Sequence, residues 1–361
     1  MTLRLGIIGL PNSGKTTLFN ALTGQDIATG AAAGRFEVHT AVVSVPDERV
    51  DRLSAIYQPR KTTHIQVTYS DIAGLDQGVS QAGIQGRFRQ ELEQVDGFVL
   101  VLRAFDNEAV PHPYDNVDPA RDLETLDAEL LLHDLVALET RLERIQNELR
   151  LKGRRAPKEV HDEGELLGAL QQDLEAGRPL RARALSPAQR SALRGFGFLT
   201  LKPLLVVLNV DDTQAEGDVD LPAAGPGVLV TALRGRLEAE IASLESEDAA
   251  LFMEEFGILE RSADVVIRLS FELLQLRSFF TINENELRAW SLPAGCGAAE
   301  AAGAVHTDMQ RGFIRAEVMR SEDLLAAGGR EADLRRAGQL RLEGRDYEVQ
   351  DGDVLRIRFN V

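Results

Sequence analysis

The octapeptide Gly9-Leu10-Pro11-Asn12-Ser13-Gly14-Lys15-Thr16 constrains this chain more than any other feature. It satisfies G-x-x-x-x-G-K-[ST], a loop whose backbone N–H groups cradle phosphates. Leu3 to Ile8 reads as a buried strand before it, and Thr16 to Thr23 as the start of a helix after it. A chance match in a tight turn would lack that context. The glycines let successive N–H groups point inward, and the helix N-terminus adds its positive end. Lys15 is expected to reach the β- and γ-oxygens, and the Thr16 hydroxyl to ligate Mg²⁺. Asn12, Ser13, Gly14 and Thr17 complete the expected cradle.

A second part of such a site is an acidic residue ending a strand. Asp71-Ile72-Ala73-Gly74 follows "HIQVTYS" in that way. Asp71 is expected to hold Mg²⁺ through a water, and the Gly74 N–H to sense the γ-phosphate. Alone, D-x-x-G usually marks only a turn; after a strand and downstream of a phosphate loop it is much more specific. Leu75 follows, where signalling GTPases commonly place a glutamine that orients water. Leucine accepts no hydrogen bond, so hydrolysis needs another group or is slow.

Further strand candidates are His64 to Asp71, Phe98 to Leu102, Pro203 to Asn209 and Gly227 to Ala232. Helical patterns separate several of them, which predicts an α/β domain with a largely parallel sheet. From Asp122 a long helix carries Leu131, Leu135, Leu138, Leu142, Ile145 and Leu149 at spacings of three and four. Lys152 to Lys158 breaks it, and a second helix carries Leu166, Leu167, Leu170 and Leu174. An antiparallel helical hairpin inserted into the α/β domain is expected. Ser186, Pro187 and Gln189 spell a capping box for one more helix. From about Leu276 a small α+β module follows, with a hairpin expected at Asp351-Gly352. The expected domains are 1–121 with 196–275, 122–195, and 276–361.

A chain of 361 residues is long for one core, which agrees with that division. The net charge of −17 argues against a generally sticky nucleic-acid or membrane binder. The lone Cys296 admits no intramolecular disulfide and reads as a packing residue. With no signal-peptide layout and no apolar run of membrane-spanning length, a cytoplasmic protein is expected.

Taken in order, the motifs resemble one family, the Obg-like ATPases of the YchF type. They are "GLPNSGKTTLFNALT", "VPDERVDRLSAIYQP", "DIAGL", "VDPARDLETLDAELLLHDL", "FLTLKPLLVVLNV", "RAWSLPAG", "AAGAVHTDMQRGFIRAEV" and "EGRDYEVQDGDVLRIRFNV". The resemblance covers essentially the whole chain. It implies a G-type P-loop NTPase domain, a helical insert and a C-terminal TGS domain, a ubiquitin-like β-grasp module. It also implies ATP preference, association with ribosomes and a role in translation or stress regulation. In that family a loop histidine stands in for the glutamine, and His112 falls at the matching position. A solvated loop histidine between two prolines is an equal reading. Asn12 matches the asparagine that related K⁺-dependent NTPases use on a monovalent cation; a turn asparagine is the plainer reading.

Two positions depart from the family. Its first-switch threonine, a Mg²⁺ ligand, aligns with Arg35, and Thr29 and Thr40 lie at the wrong offset. Arg35 is expected either to be solvated or to act on the γ-phosphate like an arginine finger. The base-reading segment is Asn209-Val210-Asp211-Asp212 in place of N-K-x-D. Val210 can pack on either purine and Asn209 can accept from the adenine amino group. Asp212 is spaced to read guanine. Thr231 opens the last base-side loop.

Partners follow from charge. Arg150, Lys152, Arg154, Arg155 and Lys158 cluster at the tip of the insert, and Arg178, Arg181, Arg183, Arg190 and Arg194 form a second cluster. Against an acidic background these are expected to face ribosomal RNA, with Arg356 and Arg358 adding to them. The expected protein is a Mg²⁺-dependent, slow, ATP-preferring NTPase on the ribosome. A diverged GTPase, or a hydrolysis-deficient scaffold that recruits partners, remains the alternative.

Overall fold

The computed structural model describes residues 3–28, 38–72, 84, 86–214, 222 and 225–360. The inner strands of its first sheet are runs buried on both faces, as a sheet covered by helices requires, while its two edge strands are only partly buried. The strands are β1 (Leu3–Ile8), β2 (Val38–Ser44), β4 (Gln66–Ile72), β5 (Gly97–Ala104), β6 (Leu204–Val210) and β7 (Val228–Leu233). Their order is β2-β4-β1-β5-β6-β7. Strands β1, β5, β6 and β7 are paired in parallel, with Ile8 beside Leu100, Ala104 beside Val210, and Asn209 beside Leu233. Parallel pairing brings the segments after β1, β5, β6 and β7 to one rim, where α/β sheets bind ligands.

The insert forms as its leucine spacing predicts. A helix spans Pro119–Lys152, capped by Asp118, whose carboxylate accepts the Arg121 N–H. It starts three residues before the expected Asp122, because Asp118-Pro119 is itself a start signal. After a turn at Gly153–Arg155, the helix Lys158–Glu175 returns along it. Leu138, Leu142, Ile145, Leu167, Leu170 and Leu174 form a separate apolar core between the two. The Ser186–Gln189 capping box is present at the head of the helix Pro187–Leu193.

The second sheet has the order β11-β10-β12-β8-β9-β3. Its strands are β3 (Lys61–Thr63), β8 (Leu276–Ile282), β9 (Glu286–Pro293), β10 (Phe313–Arg320), β11 (Arg341–Glu343) and β12 (Asp353–Phe359). Ala298 and Ala301 of the helix Ala298–Val305 pack on it with Phe279, Val318 and Leu355. The hairpin expected at Asp351-Gly352 does not form. The turn exists, but β12 pairs antiparallel with β10 and parallel with β8. Asp351 is used instead to accept the Ser278 N–H at 2.7 Å, while Gly352 donates to the Ser278 carbonyl at 2.8 Å.

Two compact units result, one from residues 4–41 and 68–273, the other from 1–3, 42–67 and 274–361. The segment 42–67, expected with the nucleotide domain, therefore groups with the C-terminal module. The reason is edge pairing: Lys61, Thr62 and Thr63 pair in parallel with Glu286, Leu287 and Arg288. The helix Glu48–Tyr57 beside it is held by Arg49 on Asp351 at 2.6 Å and by the Tyr57 hydroxyl on the Gly329 carbonyl at 2.9 Å. Among the described residues no helix is long and apolar enough to cross a membrane.

Candidate nucleotide-binding site

The phosphate loop leaves β1 and turns directly into the helix Lys15–Thr23. Gly14 caps that helix with φ 98°. A side chain there would be strained, and a Cβ would fall 2.1 Å from Asn209 Nδ2. Lys15 is buried, and its ammonium donates to the Gly9 carbonyl at 3.0 Å and the Leu10 carbonyl at 2.8 Å. The cation is thus solvated by the loop that it would serve. Ser13 is buried and Thr17 half-buried behind it.

Thr16 and Asp71 come from different elements and meet. The Thr16 hydroxyl donates to Asp71 Oδ2 at 2.8 Å, and Asp71 is 2% exposed. A hydroxyl and a carboxylate at the head of a phosphate loop are hard oxygen donors. They suit Mg²⁺, which takes few protein ligands and completes its shell with water and phosphate oxygens.

On the base side the structure changes four assignments. Asn209 is buried at the end of β6, its Nδ2 donating to the Ser13 carbonyl at 3.0 Å and its Oδ1 accepting the Gly235 N–H at 3.1 Å. The amide expected to read adenine is instead a tie between the two loops. Val210 is 3% exposed and packs in the main core with Leu102 and Ala232, so it offers no open face to a purine. Asp212 Oδ1 accepts the Leu237 N–H at 3.2 Å, with Arg236 Nε 3.8 Å from Oδ2. It thus satisfies one first-turn N–H of the helix Gly235–Ser243 from outside that helix. Thr231 sits within β7 opposite Val207, two rungs before Asn209, and is not brought to the base-side loop.

The segment after β5 is built around Arg103, which the sequence reading passed over. Its guanidinium, in a residue 2% exposed, donates to the carbonyls of Phe105 at 3.0 Å and Val110 at 2.8 Å. Burial lowers its pKa from the ordinary arginine value. Asn12, with φ 61°, donates its side-chain amide to the Pro111 carbonyl at 3.1 Å. The next residue is His112. Its side chain is 3% exposed, with Nε2 2.9 Å from Asp122 Oδ2 and Nδ1 accepting the Tyr114 N–H at 3.1 Å. It is not the solvated loop histidine that one reading expected. Asp122 gave no chemical signal in the sequence beyond the start of a helix. Gly74, with Leu75, Arg35 and Thr29, lies outside the described residues. Thr40 lies in β2, its hydroxyl 3.4 Å from that of Ser70.

The charged surfaces differ from each other. At the insert tip Arg150, Lys152, Arg155 and Lys158 are exposed, with Lys152 paired to Glu148 at 2.7 Å. In the second cluster three of the five arginines are paired, with partners distant in sequence or on the preceding helix. Arg178 and Arg183 both bind Asp173, and Arg181 binds Asp127. Glu317 is 2% exposed and takes both Arg356 and Arg358.

The chain resembles known proteins over its full length. Residues 4–136 match the family described as "50S ribosome-binding GTPase". Residues 276–360 match the YchF-GTPase C-terminal family, described as a protein of unknown function (DUF933). The "Ribosome-binding ATPase YchF" of Bacillus subtilis is 38% identical over 375 residues, covering 100% of both chains. That of Escherichia coli O157:H7 is 38% identical over 368 residues, again covering 100% of both. The solved structure of the Schizosaccharomyces pombe YchF GTPase superposes with a TM-score of 0.84 at 28% identity, covering 99% of this chain and 98% of its own.

Proposed function

This chain belongs to the YchF family and is a ribosome-associated P-loop nucleoside triphosphatase, and we propose that it works as a slow, ATP-preferring, Mg²⁺-dependent switch. The observation that carries this reading is the meeting of Thr16 and Asp71 beside the Lys15 loop. The loop N–H groups and Lys15 bind and orient the phosphates. Thr16 and Asp71 would hold Mg²⁺, which supplies charge neutralisation on the phosphate oxygens when bound. His112 is the group in reach of the loop that would orient or deprotonate water in place of glutamine.

ATP preference is supported by the ATPase names of the relatives and by Val210 in place of the N-K-x-D lysine. Asp212, with one oxygen on the Leu237 N–H, still has acceptor sites for guanine, so titration decides between the two bases. The exposed tip of the insert is the surface we assign to ribosomal RNA, because three of the five arginines in the other cluster are held in ion pairs. Arg356 and Arg358 of the TGS module, held by Glu317, are a weaker candidate for the same partner. Asn12 remains the residue for a K⁺ contact, and the names of the ribosome-binding relatives support a cytoplasmic setting.

Calorimetric titration of ATP and GTP into nucleotide-free protein, with Mg²⁺ and K⁺, tests the reading. ATP binding tighter by at least about tenfold, or ~1.4 kcal/mol, is the expected result. GTP tighter by the same margin reassigns the protein as a diverged GTPase. Loss of turnover in Lys15→Ala, with turnover present in the parent, separates an enzyme from a scaffold.

A further inference from the structure

His112 follows a residue tied to the phosphate loop, yet its side chain is buried and hydrogen-bonded to Asp122. Asn12 of the phosphate loop grips Pro111, so the residue after Pro111 is held at the rim where phosphates would bind. Yet the imidazole is packed in protein, and both of its nitrogens are engaged. The Tyr114 N–H can only donate, so Nδ1 is the acceptor and Nε2 carries the hydrogen that Asp122 accepts. In that tautomer Nδ1 is the nitrogen able to take a proton from water, and the Tyr114 N–H covers it.

Asp122 is itself fixed from the other side. Arg121 Nε and Nη2 donate to its Oδ1 at 3.1 Å and 2.8 Å. Arg121 also binds the Asn116 side chain at 2.6 Å and the Asn116 carbonyl at 2.9 Å. Its guanidinium lies 5.0 Å from the Tyr114 ring centre. Residues 112 to 122 therefore form one hydrogen-bonded knot on the first turn of the helix Pro119–Lys152. That helix runs unbroken into the insert. The first turn is held by the Asp118 cap on the Arg121 N–H at 3.0 Å.

We propose that Asp122 latches His112 in reserve beside the nucleotide site, and that loosening the first turn of the insert helix releases it. This rests on His112 being the water-directing group. Two rims of one loop then have opposite effects. Asn12 keeps the histidine near the phosphates, and Asp122 keeps its acceptor covered. The latch supplies a reason for slow basal turnover that does not require a missing catalytic residue. It also gives the insert a route to the chemistry through a helix that spans both.

The test is phosphate release from ATP by full-length wild type, Asp122→Asn, His112→Ala and the double variant, each first checked by thermal melt. Asp122→Asn keeps the shape and weakens a charge-assisted bond, so turnover should rise at least about threefold. The double variant should fall to the level of His112→Ala. Asp118→Ala frays the first turn without touching His112 and should act in the same direction. Carbethoxylation of His112, followed by mass spectrometry, should quicken in Asp122→Asn and in Asp118→Ala. A fall in turnover for Asp122→Asn would mean that Asp122 orients His112 productively, and the latch is wrong. Unchanged turnover, or a rise that persists without His112, also overturns it. His112→Ala with parental turnover overturns the catalytic reading and the latch with it. Loss of turnover in His112→Ala with no gain in Asp122→Asn overturns only the latch.

Discussion

Asn209 donates its side-chain amide to the Ser13 carbonyl at 3.0 Å, joining the end of β6 to the phosphate loop. The other end of the same amide holds Gly235. One buried residue thus fixes the phosphate loop against the head of the helix Gly235–Ser243. Removing it strands two buried backbone groups. Asn209→Ala should lose about 2 kcal/mol of stability and weaken ATP binding at least about tenfold. Thermal melts and calorimetry check this, and near-parental affinity would show that the tie is dispensable.

Gly14 faces the same amide. Gly14→Ala places a methyl group 2.1 Å from Asn209 Nδ2 at φ 98°. The strain alone is worth ~1–3 kcal/mol. Nucleotide binding should disappear, while circular dichroism of the remaining helices stays close to the parent. Retained ATP binding would mean that the loop can re-form around the added carbon.

Asp212 accepts a first-turn N–H of the helix Gly235–Ser243. Asp212→Ala should cost ~1 kcal/mol of stability, as loss of one hydrogen bond to a charged group does, and leave the ratio of ATP to GTP affinity within about threefold of the parent. A selective loss of GTP affinity would restore Asp212 as a base reader.

Asp173 carries a pH signature. Arg178, and then Arg183, hold its carboxylate below the usual aspartate range. A depressed carboxylate contributes stability above its unfolded value and loses it as pH falls toward the folded one. Asp173→Asn should therefore be less stable than wild type at neutral pH by about 1 kcal/mol. The gap should close as pH drops below roughly 4. A gap of constant size across pH 3 to 7 would rule out the ion pairs as its source.

At the insert tip, replacing Arg150, Arg155 and Lys158 with glutamine should reduce ribosome co-sedimentation. It should also flatten the salt dependence, since each lost phosphate contact removes somewhat under one unit of log–log slope. Replacing Arg178 and Arg183 should have a weaker effect on binding, because both are already engaged by Asp173, which offsets half of their charge. Equal effects from both clusters would contradict that division.

What could be read from the chain depended on the range of each signal. The phosphate loop and the leucine seam are local and periodic, and both formed as their spacing required. The assignments that failed are set by partners far away in sequence. Nothing near Arg181 announces Asp127, and nothing near Asn209 announces Ser13. Val210 matched a purine platform in type, but the register of β6 turns it into the core. The expected hairpin failed because β12 lies between β8 and β10, both distant in sequence, and not beside the residues just before it. His112 was found through the family, whereas its covered state depends on Asp122, ten residues on.

Strand β3 is three polar residues long and pairs with β9, which begins roughly 225 residues later in the chain. At ordinary synthesis rates of about 5–20 residues per second, that edge waits on the order of 10 to 45 seconds for its partner. The nucleotide unit therefore emerges around an unfinished loop that only the last quarter of the chain can complete. Truncating the C-terminal module would leave residues 45–65, between β2 and β4, without their sheet partner in the remaining fragment. Its genetic boundary and its structural boundary are different places, and a separable module has to be spliced from both.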